Sequence, residues 1–242
     1  MKSSGFCFVF NAMESGYPIR EAVRAVAPYV DEVVAVDCGS TDGTRAVLES
    51  LGCRIINGEW GTEAETTLGK AHALHTECRH ETVVHFEADE IWGDDLIAHV
   101  VASGVRDAIV HRVQIDQNFQ KLRWAAHPVH RVFQRGMATK DPARGHTTKE
   151  HDSVIARFSL NSGLIWDCSY VFRDQYRDRM LQNAKLWGET PQSLRRTPEH
   201  FLEKPFAEDL DSFLAEPQWT WKRSPFDLPE SLKKLVGVTR YE

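Results

Sequence analysis

Residues 32–44 read EVVAVDCGSTDGT: an apolar run of strand length, one aspartate at its end, and then a polar turn that carries Gly39 and Gly43. A continuous apolar run bounded by turn residues is how a strand buried on both faces of a parallel sheet reads. Asp37 therefore stands at a carboxyl tip, the place where open parallel sheets bind ligands. Asp42 follows in position to cap a helix that carries Val47, Leu48 and Leu51 and stops at Gly52.

The same alternation of strand and helix extends in both directions. Gly5 to Phe10 is an apolar run, and behind Pro18 the residues Ile19, Ala22, Val23 and Val26 fall at i, i+3, i+4 and i+7, one helix face. Cys53 to Ile56 reads as a third strand and Thr82 to Phe86 as a fourth. Between them a helix is expected over about residues 63–78, with Ala64, Leu68, Ala71, His75 and Cys78 on one stripe. The order β-α-β-α-β-α-β predicts an α/β fold with a parallel sheet covered by helices. A helix over about residues 94–102 is followed by alternating strands, AIVHRVQI at 108–115 and VHRVFQR at 129–135, so the sheet becomes mixed. The segment GMATKDPARGHTTKEHDS at 136–153 has the length of a lid or binding loop. Strands are expected near 154–160 and 164–172. Residues 1–173 then form one domain, with 174–242 as a helical extension packed on it.

Composition narrows the function classes. The 242 residues carry a formal net charge of −6, with 42% hydrophobic and 26% charged side chains. That balance suits a globular chain and gives no global basic field for nonspecific nucleic-acid binding. Five cysteines, Cys7, Cys38, Cys53, Cys78 and Cys168, form no CxxC pair. Neither a disulfide framework nor a thiolate zinc site is indicated, and a reducing cytoplasm is the expected location. No apolar stretch approaches the ~18 residues of a membrane helix. The opening MKSSGFCFVFNAM reads as the first strand rather than a secretion signal.

The four strand tips bring polar chemistry to one edge: Asn11 to Gly16, DCGSTDGT, NGEWG and EADE. Glycines at 39 and 43 let the backbone come close to a ligand. No GxGxxG and no GKS or GKT is present, so a phosphate cradle is not indicated. Glu87 and Asp89, two apart at the fourth tip, suit a hard cation shared with a diphosphate, namely Mg²⁺ or Mn²⁺. Each residue also has a plainer reading. Asp37 and Asp42 fit local caps; Glu87, Asp89 and Glu90 fit a solvated strand end; Lys70 fits a solvated helix face, beside its reading as a phosphate contact. His72 and His75, without an HExxH pattern, read as helix-surface or packing residues.

DEVVAVDCGSTDGT resembles the V-D-x-G-S-x-D-G-T segment of family 2 glycosyltransferases of the GT-A fold, and HFEADE resembles their D-x-D sequence at the fourth strand. The opening FVFNAMESGYPIREAVRAVAPYVDE is similar to that family's first strand, N-x-E loop and helix. The resemblance covers about residues 5–100. It implies a Rossmann-like, mixed-sheet transferase that uses a nucleoside diphosphate sugar, here a UDP-sugar, with a divalent cation. Asn11, Ala12 and Glu14 would line the nucleotide pocket, with Gly39 and Ala88 close by. Asp37 would accept from the nucleobase, Glu87 would face the ribose and Asp89 would bind the metal. A further metal ligand falls on Asp167, where the family commonly has histidine; Glu87 likewise replaces aspartate.

Transfer with inversion needs a base near the acceptor hydroxyl. The candidates are Glu90, Asp141, Glu150 and Asp152, joined by His146 and His151. The acceptor is left open among a glycan, a lipid-linked sugar, a protein, a small molecule and a modified nucleic-acid base, and the oligomeric state is open too. Two rival readings stand beside transfer: a sugar nucleotidyltransferase, for which NAMESGYP lacks a basic glycine-rich loop, and a noncatalytic nucleotide-sugar-binding protein.

Overall fold

The structure is a computed structural model of the chain and describes residues 2–59, 70–115, 121–137, 139–141, 146–148, 156–158, 163–168, 172, 175, 221–223 and 228–236. Four strands, β1 (Ser3–Val9), β2 (Glu32–Asp37), β3 (Arg54–Asn57) and β4 (Thr82–His85), lie parallel in the order β3-β2-β1-β4. Helix α1 (Ile19–Val26) buries the predicted stripe of Ile19, Ala22, Val23 and Val26. Helix α2 (Thr44–Ser50) begins after Gly43, whose positive φ of 91° lets the chain turn sharply out of the Asp37 tip.

The second half adds β5 (Glu90–Trp92), α3 (Asp94–Ser103), β6 (Ala108–Ile115), β7 (Lys121–Gln134), β8 (Thr139–Asp141), β9 (His146–Thr148), β10 (Ala156–Arg157), β11 (Ile165–Asp167), β12 (Trp221–Arg223) and α4 (Glu230–Lys233). β7 runs antiparallel to β4, and the sheet continues β7-β6-β11-β5. The expected change from parallel to mixed pairing is thus placed at the β4–β7 boundary. In the β6–β7 ladder, consecutive Ala108 and Ile109 face Val132 and His130, so Arg131 is the extra residue of a bulge.

Several expectations meet a different outcome. The expected loop at 136–153 contains the β8–β9 hairpin, in which Asp141 pairs with His146. The extension after 174 is not helical throughout: β12 pairs with β7, and Leu232 and Leu235 by α4 join the main core. Of the helix expected at 63–78, residues 70–73 are helical and Leu74–Glu77 tighten to a 3-10 turn. Its first residues, and the helix expected from 174 apart from Gln175, lie outside the described residues. His72 and His75 prove to be packing residues, set edge-on against Phe6. No helix among the described residues is long and apolar enough to cross a membrane.

Candidate functional site

The two glycine-bearing loops after β1 and β2 are laced into one unit. Asn11 adopts a left-handed φ of 45°, a conformation its short polar side chain tolerates. Its Oδ1 accepts the Thr41 N–H at 2.8 Å, its own N–H donates to Ser40 Oγ at 3.0 Å, and its Nδ2 donates to Glu14 at 3.1 Å. Asp42 accepts both the Glu14 N–H at 2.7 Å and the Thr44 N–H at 3.0 Å. The N-cap of α2 falls on Gly43, with no side-chain cap bond; Asp42, one residue earlier, instead closes a local turn onto Thr44 and ties it to the first loop. Ala12, expected in the nucleotide pocket, is 0% exposed in the core and its carbonyl accepts the Tyr17 N–H, so it offers no surface to a ligand and instead anchors the loop. Gln175 Nε2 donates to the Met13 carbonyl at 2.9 Å, bringing a late segment onto the same loop.

Asp37 is the last residue of β2 and 4% exposed. Its Oδ1 accepts the Ser40 N–H at 3.0 Å, and its Oδ2 lies 3.4 Å from Arg45 Nη1. Arg45 also donates to Asn57 Oδ1 at 2.8 Å and to Glu49 at 3.0 Å. The plain reading of Asp37 as a local acceptor is thus present in the structure. It leaves lone pairs on both oxygens for a further donor. Gly39, two residues on, is exposed; Lys70, at the start of the described helical turn, is exposed too, and among the described residues no contact links it to Asp37.

Across β1 from Asp37, at the same carboxyl edge, the chain leaves β4 in a tight turn in which the Glu90 N–H donates to the Glu87 carbonyl at 3.0 Å. Glu87 and Asp89 are partly exposed, while Ala88 and Glu90 are buried. Beneath them lie two arginines. Arg131, 2% exposed, donates from Nε and Nη2 to Glu90 at 2.8 and 2.7 Å, and its Nη2 sits 3.1 Å from Glu87. Arg112 donates to Glu90 at 3.1 Å, and its Nε is 3.6 Å from Asp167. Burial alone would lower the pKa of Arg112, but Asp167, Glu90, Glu87 and Asp89 together raise it above its ordinary value. Arg131 is raised in the same way, against burial, chiefly by Glu90 and Glu87.

This arrangement moves Glu90 away from the base role expected of it. The residue is 0% exposed, and guanidinium groups occupy both of its oxygens. A carboxylate so committed has no path to an acceptor proton. Asp141 and His146 stand together on the β8–β9 hairpin by backbone register; Glu150, His151 and Asp152 lie outside the described residues.

Asp167 and Asp89 are brought together by backbone. β11 pairs with β5 so that Asp167 faces Glu90, and the Cys168 N–H donates to the Asp89 carbonyl at 2.8 Å. Among the described residues no three His, Cys, Asp or Glu side chains close around one point. Asp89 is partly exposed and Asp167 is buried beside Arg112; carboxylate oxygens are the donor type that Mg²⁺ or Mn²⁺ takes, with phosphate and water completing the shell.

Sequence reasoning missed Arg45, Arg112 and Arg131. For two of them a signal existed. Arg112 continues the alternation of buried Val110, and Arg131 falls between buried Val129 and Phe133. A charge in an inward register of a central strand is seldom buried unless paired.

The family model described as Glycosyl transferase family 2 matches residues 9–169. A protein of Rickettsia felis described as an uncharacterized glycosyltransferase is 29% identical over 183 residues, 70% of this chain and 62% of that protein. This chain thus spans less than two thirds of that relative's length. A crystal structure of TarS 1-349 from S. aureus is 13% identical with a TM-score of 0.47, covering 88% of this chain and 72% of that one. Glucosyl-3-phosphoglycerate synthase from Mycobacterium tuberculosis, crystallised with Mn²⁺, uridine-diphosphate-glucose and phosphoglyceric acid, is 18% identical with a TM-score of 0.33, covering 44% of this chain and 42% of that one.

Proposed function

The chain belongs to glycosyl transferase family 2, and from that membership we propose that it transfers a sugar from a nucleoside diphosphate donor, a UDP-sugar, to an acceptor hydroxyl with Mg²⁺ or Mn²⁺ bound. The observation that carries this reading is the shared edge: Asp37 ends β2 and the Glu87–Glu90 turn follows β4, on either side of β1. Asp37, steadied by Ser40 and Arg45, presents acceptor oxygens to a base that offers a ring N–H, as uracil does. The Asn11–Glu14 loop lines the nucleoside, and Glu87 faces the ribose. Asp89 and Asp167 would hold the cation, which neutralises charge on the departing diphosphate when bound.

The proton of the acceptor hydroxyl goes to a side chain of the 137–153 segment, with Asp141, His146, Glu150, His151 and Asp152 as its acidic and imidazole groups. A cytoplasmic location goes with this proposal: all five cysteines are free and buried, as suits a reducing compartment. The alternative of a nucleotide-sugar binder without turnover draws on the two departures from the family pattern, Glu87 and Asp167. A panel of sugar donors and acceptor classes, followed by UDP release and intact mass with and without Mn²⁺, separates the two. Transfer predicts metal-dependent UDP release with a mass gain on one acceptor class; binding without release would establish the alternative.

A further inference from the structure

The geometry points to Glu87 and Arg131 as a matched pair that positions the donor-binding turn, an inference that rests on the donor reading of Glu87 and Asp89 given above. Arg131 is the extra residue of the β6–β7 bulge, and bulges re-aim a side chain that regular pleating would point elsewhere. Its guanidinium grips Glu90 with two nitrogens, and the nitrogen at 2.7 Å from Glu90 also reaches Glu87 Oε1 at 3.1 Å. Glu90 in turn accepts the Glu87 N–H through Oε2 at 3.2 Å, while its own N–H donates to the Glu87 carbonyl. Glu87 is therefore held at its backbone N–H, its carbonyl and its carboxylate by one buried assembly.

This explains a departure that otherwise counts against the site. An aspartate at 87 is shorter by one carbon–carbon bond, about 1.5 Å, and from the same backbone its carboxylate falls short of Arg131. Glutamate is the length at which the carboxylate, from a backbone held in this turn, meets the buried guanidinium. Arg131 is thus a positioning residue, acting through Glu87. A lysine in its place keeps a charge beside Glu90 but loses the planar fork that serves two carboxylates together.

The pair is distinguished from a purely structural ion pair by titrating UDP with Mn²⁺ into the whole 242-residue chain as wild type, Glu87→Asp, Arg131→Lys and the double variant, with thermal unfolding measured on each. Glu87 is a quarter exposed on its side chain and Glu87→Asp keeps its charge, so this variant is expected to melt with the wild type. It should bind UDP roughly 10–100-fold more weakly, the usual cost of removing a supporting partner from a ligand site. In turnover it should raise KM for the donor more than it lowers kcat. The double variant should be no weaker than the worse single variant, since both break one contact. Wild-type affinity in Glu87→Asp, or losses that multiply in the double variant, would overturn the pairing. If the wild type itself binds no UDP with Mn²⁺, the donor reading fails and the inference falls with it. Should Arg131→Lys not fold, Arg131→Gln takes its place in the same double-variant comparison, and wild-type affinity in Glu87→Asp still overturns the pairing.

Discussion

Asp37 shows what a single side chain reveals before and after its neighbours are known. From sequence it was visible as an aspartate at a strand tip, with a local cap as the simpler explanation. The structure provides that cap, through the Ser40 N–H, and adds Arg45 from α2, eight residues on. Arg45 was not legible because an arginine on a short exposed helix reads as solvated; only the fold brings it to Asp37 and Asn57 together. Arg131 and Arg112 were partly legible, as charges in inward strand registers, but the sequence leaves their partner Glu90 among the base candidates because its burial cannot be read from three acids in four residues. At this scale the account predicts that Asp37→Ala costs about 1.5–3 kcal/mol of donor binding, roughly 10–150-fold, as expected for a hydrogen bond to a charged group. Calorimetric titration with UDP and Mn²⁺ measures it, and an unchanged affinity would return Asp37 to a purely local role.

At the level of elements, the four parallel strands and α1 were readable to within a residue or two because buried strands and an amphipathic stripe leave periodic marks. The order of the remaining strands was not. β5 pairs with β11 about 75 residues away in sequence, and no local pattern encodes such a partner. The turn at Leu74–Glu77 gives this scale its prediction. His75 donates from Nδ1 to the His72 carbonyl at 2.7 Å and accepts the Gly136 N–H at Nε2 at 3.0 Å, the arrangement of a neutral ring. Burial lowers its pKa from 6.5, opposed in part by the bond to His72. The unfolded chain then binds a proton that the folded chain refuses. Stability is complete above the unfolded value and is lost as pH falls from about 6.5 toward the lower folded value. Urea unfolding between about pH 7.5 and pH 5.5 should show this decline, with a flatter slope in His75→Gln. Identical slopes would remove His75 as its source.

For the molecule as a whole, the parallel half and the mixed half meet where the proposed site lies. β1 separates the Asp37 tip from the acidic turn, and the strands β6, β7 and β11 supply what stands beneath that turn: Arg112, Arg131 and Asp167. Among the described residues, Glu87, Asp89, Glu90 and Asp167 surround the guanidiniums of Arg112 and Arg131. The family match over residues 9–169 spans both halves. The central claim is that this edge binds a nucleoside diphosphate through a metal held by Asp89. It is tested most directly by titrating UDP into the wild type and Asp89→Ala, each with Mn²⁺ and after chelation. The account predicts saturable binding by the wild type with Mn²⁺, and loss of that binding both on chelation and in Asp89→Ala. Equal affinity under all four conditions would contradict it.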